Sequence, residues 1–353
     1  MSLDGIVSKA WESVTVPGRR PPVTMVTEAE RQLLYYLASR YFSDAGHIID
    51  TGSLFGGSTL ALGYGLREWR KRNRRAPLHR IHAYDLFTAQ QWMFKQHLSA
   101  ESYTVGQSLL PVFEKNIKPV AEFVAVHPGD IRKQQRPDGR IEILFVDVAK
   151  TPELSDFVVR EFFPALIPGR SIVIQQDYMY DFDVAAWLHI TMEYYSDYFR
   201  ILTDTTYNSV AFLYEREIPL DRLKQHSSAA LSVDERLDLM VRARKRFAGT
   251  QADTMLRAHY EYLISRDWPR ACDDAHCIAH KTAMFVLRPG GDSDGLARAF
   301  AEMIRLARRC RDLELLVDSF EQSSSWRLTA PVRAAGRFLQ SLGLRRQRPL
   351  RAR

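Results

Sequence analysis

At 353 residues the chain has room for two domains on a prior of about 100–200 residues each. Its composition, 46% hydrophobic and 26% charged, excludes wholesale disorder and a collagen-like repeat, and no stretch approaches the ~20 apolar residues that span a bilayer. The formal net charge is +7, yet eight arginines and no acidic residue fall between Gln322 and Arg353, which leaves −1 for residues 1–321. A body so close to neutral argues against nucleic acid as a partner.

In chain order, short apolar runs bounded by turn residues predict strands at His47–Gly52, Arg80–Leu86, Phe123–His127, Ile141–Val148 and Arg170–Gln176. Helical spacing lies between them, over Ser58–Arg72, Ser99–Asn116 and Leu154–Leu166. Strands alternating with helices predict an α/β fold with a doubly wound parallel sheet. A further helix, Asp183–Tyr194, precedes two closely spaced strands, Phe199–Thr203 and Ser209–Tyr214, which read as an antiparallel hairpin ending the sheet. Beyond Glu215 the texture turns helical, over Leu231–Phe247, Ala252–Ser265 and Asp294–Phe320, with a break at Arg288–Gly295. The expected organisation is residues 1–215 as the sheet domain, 216–321 as a helical extension and 322–353 as a basic tail. The N-terminus, MSLDGIVSKAWESV, lacks a signal-peptide layout, and Cys272, Cys277 and Cys310 are too few for a disulfide framework. Both features predict a cytoplasmic chain.

The first strand runs into Asp50-Thr51-Gly52-Ser53-Leu54-Phe55-Gly56-Gly57-Ser58-Thr59. A strand entering a glycine-rich turn and then a helix presents backbone N–H groups to a ligand at the switch point of a sheet. Leu54 stands where a dinucleotide fingerprint needs its middle glycine, and Asp50 suits a ligand carrying positive charge or an amine. Asp85 ends the second strand, where a carboxylate accepts hydrogen bonds from a ribose diol. The third strand ends His127-Pro128-Gly129-Asp130, an acid placed to accept from an adenine amino group.

With these motifs the sequence resembles the class I S-adenosylmethionine-dependent methyltransferases over about Phe42–Glu215. Its D-x-G-x-x-x-G-x-S-T form is similar to the branch with small-molecule and sugar O-methyltransferases. The resemblance implies a Rossmann-like sheet binding S-adenosyl-L-methionine, with Asp50, Gly52, Ser53, Gly56, Gly57 and Ser58 around the methionine part. It implies Asp85 on the ribose, and Gly129 and Asp130 near the adenine. Phe145-Val146-Asp147-Val148-Ala149-Lys150 resembles the F-[IV]-D-x-x-K motif of catechol-type O-methyltransferases. There the aspartate binds a divalent metal and the lysine assists deprotonation of the acceptor hydroxyl. A neutral Lys150 would be a base if burial lowered its pKa. Asp147, Gln176 and Asp177 together offer three oxygen ligands to Mg²⁺.

Two further groups stand apart from that site. Cys272, His276, Cys277 and His280 carry metal-capable atoms, but their spacing matches no established zinc pattern. The aromatic cluster Tyr178, Tyr180, Phe182, Trp187, Tyr194 and Tyr195 reads either as the lining of an acceptor pocket or as core. The segment Ser323–Arg333 resembles the S-x-S-W-R-x-T-x-P-[LV]-R tail of bacterial surface-polysaccharide enzymes. After it, Val332, Ala335, Phe338, Leu339 and Leu342 form one apolar helical face beside arginines, as in a helix lying on an anionic membrane. The expected activity is O-methylation of a sugar hydroxyl in surface-glycan synthesis. The rivals are an RNA methyltransferase using the basic run Arg67–Arg80, and a non-catalytic cofactor-binding partner of a membrane-bound glycosyltransferase.

Overall fold

The computed structural model describes residues 3–247 except 19–23, 96–97, 99–101, 180–181 and 206–207. In chain order the elements are α1 (Asp4–Val7), α2 (Glu28–Tyr36), β1 (His47–Thr51), α3 (Gly57–Asn73), β2 (Ile81–Asp85), α4 (Leu110–Ile117) and β3 (Val124–Pro128). They continue with β4 (Ile141–Val146), α5 (Pro152–Phe162), β5 (Ile172–Gln175), α6 (Phe182–Tyr194), β6 (Phe199–Asp204), β7 (Val210–Tyr214), α7 (Leu220–Lys224) and α8 (Val233–Arg246). The sheet has seven strands in the order β3-β2-β1-β4-β5-β7-β6, parallel except for β7, which runs antiparallel to both of its neighbours. It is a doubly wound, Rossmann-like α/β sheet closed by the expected hairpin.

Alternation along the strands explains why both faces are covered. Ile48, Ile143, Phe145, Ile172 and Ile174 pack on one face with Leu62 of α3 and Phe113 of α4. Ile49, Leu144, Val146 and Val173 pack on the other with Val158, Val159 and Phe162 of α5 and Leu188 and Met192 of α6. The chain order reverses between β1 and β4, so a cleft opens at the carboxyl ends of these two strands.

Two predicted helices are shorter than their periodicity suggested. The helix expected over Ser99–Asn116 begins only at Leu110, where Pro111 suits a first turn; before it Gly106 turns at φ +87 and Ser108 bridges to Thr88. The helix expected to reach Leu166 stops at Phe162 and tightens into a 3-10 turn around Pro164. Of the helical extension, α7 and α8 are described, with α8 packed on α6. The segments Ala252–Ser265 and Asp294–Phe320, the cysteine and histidine group Cys272–His280 and the tail lie outside the described residues. No helix among the described residues is long and apolar enough to cross a membrane.

A hydrogen-bonded chain of imidazoles runs across β1, β2 and β3. His82 lies 2.9 Å from His127 (Nδ1 to Nε2) and 3.1 Å from His47 (Nε2 to Nδ1). The backbone N–H of Arg80 donates to His47 Nδ1 at 3.2 Å, so that nitrogen carries no proton. His82 must then donate from Nε2 and accept at Nδ1, and His127 must donate from Nε2. Neutral rings give the chain a single direction, with the Arg80 N–H and the His82 Nε2–H sharing the one lone pair of His47 Nδ1. Burial, with His47 and His127 as neighbours, pushes His82 down to about 3, and burial also lowers His47 and His127. His82 therefore binds a proton more readily in the unfolded chain than in the folded one between about pH 6.5 and pH 3. Its contribution to stability falls as the pH drops through that window, against the opposite trend of carboxyls raised by burial such as Asp50. The urea midpoint of His82→Asn relative to that of the wild type should therefore rise between pH 7.5 and pH 5.0, because the variant lacks the acid-sensitive ring. A difference between variant and wild type that does not change with pH would contradict the neutral chain.

Candidate active site

The turn after β1 is built by close approach. Gly52 has φ +86, and a Cβ there would lie 3.0 Å from the Cβ and the carbonyl oxygen of Asp147 at the end of β4. Its N–H and that of Ser53 donate to the Tyr84 carbonyl at 2.8 and 3.3 Å, which locks the turn to β2. Gly56, at φ +87, starts α3 against Ile117, and Gly57 packs against Thr24 of the N-terminal segment. Gly56, the N-cap of α3, makes no side-chain cap to the first-turn N–H groups, and Gly57, Ser58 and Thr59 of that turn are buried.

Asp50 is fully buried, and its carboxylate accepts from the hydroxyls of Ser58 at 3.0 Å and Thr59 at 2.5 Å. Burial pushes it up to about 6 although these hydroxyls oppose the shift. Its oxygens are thus directed to the start of α3, and it shapes the turn rather than presenting charge to a ligand. Asp85 accepts from the N–H of Leu54 at 2.9 Å and of Phe87 at 2.6 Å, one on each oxygen. Each oxygen keeps a second lone pair directed away from these amides. Burial raises the Asp85 pKa.

Gly129, at φ +114, donates its N–H to the Asp85 carbonyl at 2.9 Å and links the third turn to the second. Asp130 caps the short turn that follows and pairs with its near neighbour Arg132 at 3.0 and 2.8 Å, which holds it down at about 2. Both of its oxygens are engaged by one guanidinium. A purine amino group could approach only their remaining lone pairs.

Across the cleft, the ends of β4 and β5 converge on Lys150. Its Nζ lies 2.6 Å from Asp147 Oδ1, donates to Gln176 Oε1 at 2.9 Å and contacts Asp177 Oδ2. Burial disfavours the ammonium, but the Asp147 and Asp177 carboxylates outweigh it and raise the lysine pKa. Lys150 is therefore a held cation, and the expectation of a neutral lysine base is corrected. Burial, reinforced by Asp177, raises Asp147 against the pull of Lys150. One ammonium balances only one of two neighbouring carboxylates, so the fully ionised trio carries a net negative charge and takes up a proton readily at Asp147.

The proposed Mg²⁺ ligands are also corrected. Asp147, Gln176 and Asp177 are brought together as expected, but their oxygens surround the Lys150 ammonium, and the set does not fit a metal with Lys150 in place. Among the described residues no group of three or more His, Cys, Asp or Glu side chains is arranged to hold one. The aromatic cluster resolves mostly as core: Tyr178 packs on His189, Phe212 and Phe247, and Tyr195 on Phe163 and His226. Tyr180 lies outside the described residues. The basic run is a helix end with local partners, Arg70 on Glu122 at 2.5 Å, Arg75 on Asp44 at 2.6 Å and Arg72 on the Ser39 carbonyl at 2.9 Å.

Glu30 is a residue that the sequence reading missed. It is buried, accepts from Thr27 in a capping box, and takes hydrogen bonds from Asn208 at 2.7 Å and Ser209 at 2.5 Å. It ties α2 to the start of β7, and its charge adds to the upward shift of Asp147. The Thr27-x-x-Glu30 spacing is a visible capping signal, but its reach to Ser209 is not.

No protein-family model matches the sequence, and no curated protein matches it. Among solved structures the chain is similar to the pyocyanin biosynthetic protein PhzM, at 16% identity over 51% of this chain and 54% of that one, with a TM-score of 0.29. It is similar to StiE O-MT residues 961-1257 at 13% identity, over 78% and 80%, with a TM-score of 0.31. It is also similar to human N-acetylserotonin methyltransferase in complex with SAM at 12% identity, over 53% and 56%, with a TM-score of 0.26. The chain spans about half the length of the first and third of these. The fold rests on this chain's own strand order.

Gly52→Ala tests the close approach. A Cβ at positive φ and 3.0 Å from the Asp147 carbonyl oxygen should cost about 1–3 kcal/mol, read as a shifted urea midpoint. An unchanged midpoint would mean that β1 and β4 are free to separate.

Proposed function

We propose that this chain is an S-adenosylmethionine-dependent methyltransferase acting on a hydroxyl group. The observation that carries the reading is the strand order with its reversed β7, set together with the carboxylates of Asp85 and Asp147 at the ends of β2 and β4 beside the switch point. The cofactor fits what is present. The N-terminus of α3, which no side chain caps, suits an amino-acid carboxylate, and the remaining lone pairs of Asp85 suit a ribose diol. Asp147 faces the same cleft from β4 and is one-fifth exposed. S-adenosylmethionine, when bound, supplies an activated methyl group on a sulfonium.

The residues of the chain then divide the work. The ends of β4 and β5 orient the acceptor oxygen, and much of the acceleration comes from that alignment. Lys150 engages Oδ1 of Asp147, so Oδ2 is the oxygen that would receive the acceptor proton, while the methyl would pass to the acceptor oxygen as its bond to the sulfonium sulfur breaks and S-adenosylhomocysteine leaves. Asp177 and Glu30 make that proton welcome by leaving the site net negative beforehand. Hydrogen-bonding side chains at this end of the sheet support a polyol acceptor, and the Ser323–Arg333 resemblance supports a sugar of a surface glycan. The basic tail is proposed to bring the enzyme to an anionic membrane or to a membrane-bound glycosyltransferase. The local partners of Arg70, Arg72 and Arg75 weigh against the RNA reading.

Calorimetry with S-adenosylhomocysteine should show binding by the wild type, weakened by about 1.5–3 kcal/mol in Asp85→Ala, the cost of losing charged hydrogen bonds. Asp147→Asn should keep that affinity while turnover on a glycan acceptor drops about 10²–10⁴-fold. Absence of binding by the wild type would remove the assignment. For the tail, full-length protein should float with anionic liposomes at low salt and lose that attachment at high salt or on truncation after Glu321. Flotation that ignores both would refute the tethering role.

A further inference from the structure

We propose that Lys150 is the resident cation of this site: its ammonium holds Asp147, Gln176 and Asp177 in the place that a divalent metal would take, and the site works without one. The match of donors to acceptors is complete. An ammonium has three N–H donors, and three side-chain oxygens from two strand ends meet Nζ: Asp147 Oδ1 at 2.6 Å, Gln176 Oε1 at 2.9 Å and Asp177 Oδ2. The backbone enforces the arrangement. The Lys150 N–H donates to the Val148 carbonyl at 2.7 Å, which turns the chain sharply after β4 and folds residue 150 back over residue 147. The Gln176 N–H donates to the Val146 carbonyl at 2.9 Å, which fixes the end of β5 alongside.

Gln176 supplies the third oxygen without a third negative charge, and the two carboxylates against one ammonium leave the trio with one net negative charge. A metal bound to all three oxygens would sit within about 3 Å of Nζ, since Mg²⁺–oxygen distances are about 2.0–2.1 Å. Two cations at that separation in a half-buried cleft repel strongly. Lys150 is thus a positioning residue, which aims the carboxylates rather than moving the proton itself.

The inference concerns the same site as the proposed methyl transfer but is read by cation binding, so the two fail separately. Mn²⁺ titration followed by electron paramagnetic resonance, on the full chain, provides the test. The wild type should bind no Mn²⁺ that Asp177→Asn removes. Lys150→Ala leaves the oxygens facing a vacated cation position, and it should gain one Mn²⁺ at least about tenfold more tightly than any binding by the wild type. That gain should disappear in Lys150→Ala/Asp177→Asn. One equivalent of Mn²⁺ on the wild type, lost on Asp177→Asn, would overturn the proposal, as would a folded Lys150→Ala that gains nothing. If Lys150→Ala does not fold, the wild-type and Asp177→Asn titrations decide by themselves, since site-specific Mn²⁺ on the wild type overturns the proposal and its absence supports it.

Discussion

The contact between the turn after β1 and the end of β4 governs the rest of the molecule. Residue 52 has no room for a side chain because Asp147 stands 3.0 Å from where its Cβ would be. That proximity places the first turn, which holds Asp50 and the start of α3, directly opposite the carboxylates at the ends of β4 and β5. The Thr51 hydroxyl reinforces it by donating to the Phe145 carbonyl at 3.0 Å. The ends of β1 and β4 are therefore held close where the chain order reverses, and the charged groups beside them are near enough to set one another's protonation.

Those charges are managed in three different ways. Asp50 and Glu30 are buried and satisfied by hydroxyls and amides, so they stiffen the turn and hold α2 over the sheet. Asp130 is tied down by Arg132 near the surface. Asp147 and Asp177 share one ammonium, and that inequality keeps proton affinity high where an acceptor hydroxyl would arrive. Buried carboxylates carry a desolvation cost, and here each has a named partner that offsets it.

The fold was legible because strand periodicity, glycine turns and helix spacing are local signals, and the hairpin followed from two strands separated by a turn. Where local and tertiary preferences differ, the reading failed. The periodicity of Ser99–Asn116 continues through a segment that Gly106 and the Thr88–Ser108 bridge hold out of helix. Asp85 and Asp147 were recognisable from their place after a strand. The state of Lys150 was not, because it depends on Asp177 at left-handed φ +61 turning its carboxylate back toward β4. Nor was Glu30 legible as part of the site, since its partners Asn208 and Ser209 lie about 180 residues away and only the folded sheet brings them together.

A structure of the full chain crystallised with S-adenosylhomocysteine tests the central claim most directly. The account predicts the nucleoside against Asp85, the amino-acid carboxylate at the first turn of α3, and the sulfur facing Asp147, with Lys150 still bonded to Asp147, Gln176 and Asp177. Ligand density elsewhere on the chain would contradict it. So would a bound ligand with Lys150 swung out of the cleft and a metal ion in its place.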